Sequence, residues 1–89
     1  MSKQMVEELT FNNNQVVEGH AIETDSRLFL YMFNTTMTEA FNLLNDPENT
    51  KKIKAERYGD KVTYTGYKHL CSISEESNGM ISSSLKKNG

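Results

Sequence analysis

His69 and Cys71 stand two positions apart in a segment that reads as extended, so their side chains share one face. Such a pair could serve as a thiolate nucleophile with its base, or as half of a zinc site. The rest of the chain gives it little company. Cys71 is the sole cysteine, His20 is the sole other histidine, and no CxxC or HxxxH spacing occurs. A half-buried strand face carrying a small apolar thiol needs fewer assumptions. No catalytic residue, cofactor or metal is expected on this basis.

Two further groupings could carry chemistry. Glu7, Glu8, Glu18 and Glu23 lie where a hairpin would bring them together. Paired carboxylates do acid–base work only when burial or mutual repulsion separates their pKa values, and this polar stretch reads as a solvated face. Lys51, Lys52, Lys54 and Arg57 form the one basic cluster, with Tyr58, Tyr64 and Tyr67 nearby as rings on which bases could stack. This defines an alternative nucleic-acid surface of Lys51, Lys52, Lys54, Arg57 and Tyr67. Glu48, Glu56 and Asp60 interleave with it, however. Ten basic against twelve acidic residues give the chain a net charge of -2, which argues against a general nucleic-acid binder. Residues 1–45 carry net -4 and residues 46–89 net +2, a split that could draw two copies together.

The elements that position these residues follow from punctuation and periodicity. With 89 residues the chain has room for one domain. Leu, Ile, Val and Phe make up 19 of the 89, just above the share at which disorder sets in. Residues 5–11 alternate weakly, with Met5, Leu9 and Phe11 on one side. Asn12-Asn13-Asn14 then offers a turn tolerant of left-handed conformations. The return strand, 15–23, is read with Val16, His20 and Ile22 on one face. The run from Arg27 to Phe33 is apolar on both faces, which marks a central strand covered on both sides. The cover comes from the sheet folding over itself or from a second copy of the chain.

Thr36-Met37-Thr38-Glu39 is a capping box, and Met37, Ala40, Phe41 and Leu44 follow as the buried stripe of a short helix ended by Asp46-Pro47. Gly59-Asp60 reads as a two-residue hairpin turn, setting Tyr58 against Lys61 and Ala55 against Tyr64, with Ile53, Ala55, Val62 and Tyr64 on one face. The next strand continues to about Ile73, with a bulge or bend at Gly66 where the apolar parity changes. For the last hairpin, a five-residue loop from Glu75 to Gly79 opposes Ile73 to Ile81. Residues 86–89 read as a frayed tail.

The phrases Leu9-Thr10-Phe11, Glu18-Gly19-His20, Gly66-Tyr67, Leu70-Cys71-Ser72-Ile73 and Leu85-Lys86-Lys87 resemble the strand wording of small uncharacterised prophage-type proteins of Gram-positive bacteria. The resemblance implies a short β-rich accessory or structural protein, with no catalytic residues to carry over.

The expected architecture is a single α+β domain over residues 1–85, antiparallel and β-rich, in the order βββ-α-βββ. One short helix packs on a curved or folded sheet. The expected function is non-enzymatic: a structural or adaptor module acting through self-association, as a homodimer or higher oligomer, and through contact with another protein. Parity places Phe29, Tyr31 and Phe33 together as interface anchors. The longest near-continuous apolar run, 28–33, is too short to span a bilayer. The lone cysteine suits a reducing compartment, and the N-terminus reaches two acids before any apolar run, so the expected location is cytoplasmic.

Overall fold

The turn residues divide the chain into strands as their chemistry requires. Asn14 takes φ 69°, and the Phe11 N–H donates to the Gln15 carbonyl at 2.9 Å, so the asparagine triplet closes the first hairpin. In a computed structural model, which describes residues 6–87, the elements are β1 (Glu7–Thr10), β2 (Val16–Glu23), β3 (Arg27–Met32), α1 (Met37–Leu44), β4 (Lys52–Arg57), β5 (Asp60–Thr65), β6 (Tyr67–Glu75) and β7 (Ile81–Lys87).

All strand pairings are antiparallel, in the order β5-β4-β1-β2-β3-β7-β6. The two ends of that order are consecutive in the chain and separated by Gly66 alone. One run of chain therefore forms both borders, pairing through β5 with β4 and through β6 with β7, and the sheet curls into a small barrel whose borders join through the chain at Gly66 rather than by a pairing of β5 with β6. The closure is strongly staggered. The rung through Glu7, Gly19, Met32 and Ile81 ends at Glu75, whereas the rung through Glu8 and Glu56 ends at Lys61, near the other end of the same run. Gly66, at φ +87°, supplies the bend, and two register shifts in β6 add curvature.

Closure corrects the expected fold class. Strands take 56% of the described residues and the one helix 10%, so this is a small β-rich domain rather than an α+β one. The order gains a strand, becoming βββ-α-ββββ, because Gly66 divides what reads as one strand into two that lie at opposite borders. β7 also runs on to Lys87, past residue 85. Lys86 pairs with Arg27 and Lys87 with Tyr67, so neither belongs to a frayed tail.

The barrel is filled by Leu9, Phe11, Leu28, Leu30, Met32, Ile53, Ile81 and Leu85, all at most 2% exposed. On β2 the inward face is Val17, Gly19 and Ala21. The expected face is the outer one: Val16 and Ile22 are 54% and 43% exposed. A narrow barrel has room for glycine and alanine at these positions, where apolarity alone favours the larger side chains.

The capping box forms as expected. The Glu39 N–H donates to Thr36 Oγ1 at 3.1 Å, and the Thr36 N–H donates to Glu39 Oε1 at 3.2 Å. Thr36→Ala is expected to lower stability by about 1 kcal/mol, read as a shift of the chemical-denaturation midpoint. The buried stripe differs from expectation: Ala40, Leu43 and Leu44 are covered, while Met37 and Phe41 are 36% and 44% exposed. The segment after α1 sets this rotation. Asn49 Nδ2 donates to the Leu43 carbonyl at 3.2 Å, and the Asn49 carbonyl accepts the Asn12 N–H at 2.9 Å, tying the helix end to the first turn.

Two hairpins shift register relative to expectation. Arg57 pairs with Asp60, so the turn is Tyr58-Gly59, both at positive φ, and Ala55 faces Val62. The last loop is residues 76–80, closed by the Glu76 N–H donating to the Met80 carbonyl at 2.7 Å, and it sets Ile73 against Ser83.

Candidate interaction surface

A closed sheet has an inner and an outer wall, and alternation assigns every residue to one of them. The outer wall over β2, β3, β7 and β6 is a regular grid. One rung holds His20, Tyr31, Ser82 and Ser74; the next holds Ile22, Phe29, Ser84 and Ser72. Phe33, one residue beyond β3, continues the β3 row, its N–H donating to the Glu18 carbonyl at 2.8 Å. Phe29, Tyr31 and Phe33 thus form one row, as their parity predicts, and all three are half-buried.

Beside the aromatic row runs a ladder of serines. Ser72 and Ser84 hydroxyls lie 2.9 Å apart, and those of Ser74 and Ser82 3.0 Å apart. Sequence reading passed over this ladder, although serines at 72/74 and 82/84 on either side of a turn are its visible signal.

Charge is segregated along the grid. At one end Arg27, Lys86 and His69 share a rung, and Arg27 Nη1 donates to Ser84 Oγ at 3.3 Å. At the other end Glu18 accepts from Asn34 Nδ2 at 3.2 Å, and Glu76 accepts from Ser82 Oγ at 2.9 Å. An open cleft of about 580 Å³ lies at this acidic end, lined by Glu18, Phe33, Asn34 and Met80 among others.

No family model, curated protein or solved structure matches this chain.

The remaining candidate groups do not assemble. Lys51, Lys52 and Lys54 are exposed at the start of β4, Arg57 is half-buried at its far end, and Tyr67 is 1% exposed inside the barrel, where its ring cannot stack on a base. On the outer wall Lys54 shares a cleft with Glu8, Glu56 and Lys61, so the positive charge is diluted. Cys71 has no opposite residue, because it fills the register shift between Leu70 and Ser72, and it is exposed rather than half-buried. Its Sγ lies 3.7 Å from the His69 carbonyl oxygen. Among the described residues, no three His, Cys, Asp or Glu side chains gather where a metal could bind.

The acids of the first hairpin also disperse. Glu8 and Glu18 oppose each other on the outer wall, both exposed. Glu7 Oε1 accepts the Ala21 N–H at 2.9 Å and lies 3.2 Å from the covered His20 Nδ1. That contact can be an ion pair when the imidazole is protonated, but it is not aligned as a hydrogen bond.

Glu23, exposed at the end of β2, accepts from the Tyr67 hydroxyl at 2.6 Å, while Lys87 Nζ lies 5.4 Å from the Tyr67 ring centroid. Burial above all, then the hydrogen bond to Glu23 and the carboxylate's charge, pushes the Tyr67 phenol up to about 12. Burial, with Glu7 and Glu23, raises Tyr64 as well. An unfolded tyrosine ionises near 10.0, so above that pH the unfolded chain gives up a proton that the folded one retains. Stability is therefore expected to fall as pH rises through 10 towards 12. Denaturation midpoints of the wild type and of Tyr67→Phe across this window check it, and the substitution should flatten the decline.

Proposed function

We propose that this protein is a non-enzymatic structural or adaptor module that works by self-association and by contact with another protein, through the outer wall of β2, β3, β7 and β6. One observation carries the reading: Phe29, Tyr31 and Phe33 line the solvent side of an interior strand of the sheet, while α1 turns Ala40, Leu43 and Leu44 into the core and leaves that row uncovered. Aromatic side chains grouped in this way are typical anchors of protein interfaces. β5 and β6 each pair on one side only, so the free strand edges lie at the two borders, and the aromatic row of β3 can be covered only face to face. A two-fold dimer needs only one such self-complementary patch.

Cytoplasmic placement belongs to the same proposal, since the exposed free thiol of Cys71 suits a reducing compartment. Among the described residues no helix is long and apolar enough to cross a membrane. A nucleic-acid role for the β4–β5 hairpin is the weaker reading: Tyr58, 83% exposed, is its one well-presented ring, and acids interrupt its lysines.

Light scattering coupled to size-exclusion chromatography tests the proposal. The mass should rise above the 10.2 kDa of one chain as concentration increases. A mass of one chain at every concentration would sink it.

A further inference from the structure

The grid on the outer wall has its aromatic row in the middle, a cationic rung at one end and carboxylates at the other. Arg27 and Lys86 are separated from Glu18 and Glu76 by the two rungs that carry Phe29 and Tyr31. A surface polarised in this way repels a copy stacked with its strands in the same direction, because like ends then meet. Turning the copy end for end places each cationic rung over an acidic end, and does so twice in one interface. The cleft beside Glu18 has room at about 580 Å³ for a long cationic side chain, and Phe33 and Met80 line it for the aliphatic stem.

We infer that the partner of this wall is a second copy of the chain, packed face to face with its β3 antiparallel to the first. The two-fold axis lies in the interface, across the strands, between the Tyr31 and Phe29 rungs. Arg27 and Lys86 of each copy then approach Glu18 and Glu76 of the other. The inference rests on the self-association proposed above and adds its geometry. Four strands about 4.8 Å apart and four rungs about 6.8 Å apart outline about 500 Å² on each copy. A standard stable interface takes about 800 Å² per partner. The dimer is accordingly weak and salt-sensitive, with its orientation set by charge.

Charge reversal reads this orientation. Arg27→Glu with Lys86→Glu, and separately Glu18→Lys with Glu76→Lys, should each weaken self-association about tenfold or more in sedimentation equilibrium at low salt. Mixed together, the two variants should form a heterodimer about as tight as the wild-type dimer, because every reversed contact becomes attractive. The acidic-end variant mixed with Lys52→Glu/Lys54→Glu, whose changes lie on the β4 wall, should recover only one of the two end contacts and stay weaker than the wild-type dimer. Circular dichroism confirms that each variant is folded. If a double variant is not, Lys86→Glu and Glu18→Lys, both at exposed positions, make the same comparison. Double variants that each self-associate as tightly as the wild type, whatever happens on mixing, overturn the antiparallel arrangement while leaving self-association intact. A wild type that never associates removes both.

Discussion

Gly19→Ala is expected to destabilise the protein by about 3 kcal/mol or more, the upper range for overpacking a filled interior. Gly19 sits in the middle of β2, facing inward, opposite Glu7 on one side and Met32 on the other. A Cβ built there would overlap the Tyr31 carbonyl oxygen and meet Leu9 Cδ1 at 2.9 Å. The leucine end can swing, but the carbonyl is backbone and belongs to β3, which also carries the proposed interface. Relief requires β2 and β3 to part, and with them the Leu9 and Leu30 packing beneath. Gly66→Ala provides the comparison. Gly66 has φ +87° and nothing within 4 Å of an added Cβ, so only the left-handed backbone resists, at about 1–2 kcal/mol. Urea midpoints of the two variants rank the effects. A Gly19→Ala midpoint equal to that of Gly66→Ala would show that the wall between β2 and β3 yields easily.

Tyr31→Glu is expected to weaken self-association about 30-fold or more while leaving the monomer folded. Tyr31 occupies the centre of the outer grid, between Phe29 and Phe33 along the chain and between His20 and Ser82 across it. It is half-buried in the free chain, so a carboxylate there remains hydrated until a second copy covers it. Covering it then strips water from a charge, and the ring contacts of a central anchor are lost too. Truncation of such anchors costs about 2 kcal/mol or more, the equivalent of that 30-fold change. Lys52→Glu, on the β4 wall, should leave association unchanged. Light scattering at matched concentrations compares the three proteins, and equal masses for Tyr31→Glu and the wild type would remove Tyr31 from the interface.

Much of the fold was legible because short stretches determine it. The Thr36–Glu39 capping box forms within four residues, and the asparagine triplet and Gly79 make their turns from local backbone preference. The alternation of Leu28, Leu30 and Met32 against Phe29, Tyr31 and Phe33 is also a local fact, since successive strand residues must point to opposite faces. Parity therefore grouped the three aromatics before any partner strand was known.

What the sequence could not decide was which parity lies inside. On β2, Val16, His20 and Ile22 read as the apolar face, but the barrel turns Val17, Gly19 and Ala21 inward, because its interior there has room for little else. Tyr67 read as an exposed stacking ring, yet it is enclosed with its hydroxyl on Glu23, forty-four residues away. The α+β label failed for the same reason: one bend at Gly66 sends β5 and β6 to opposite borders and turns a sheet with a helix beside it into a barrel. Turns, caps and alternation arise from neighbours in the chain, so the sequence alone determined them. Inside and outside belong to a closed surface, which exists only once distant strands have met.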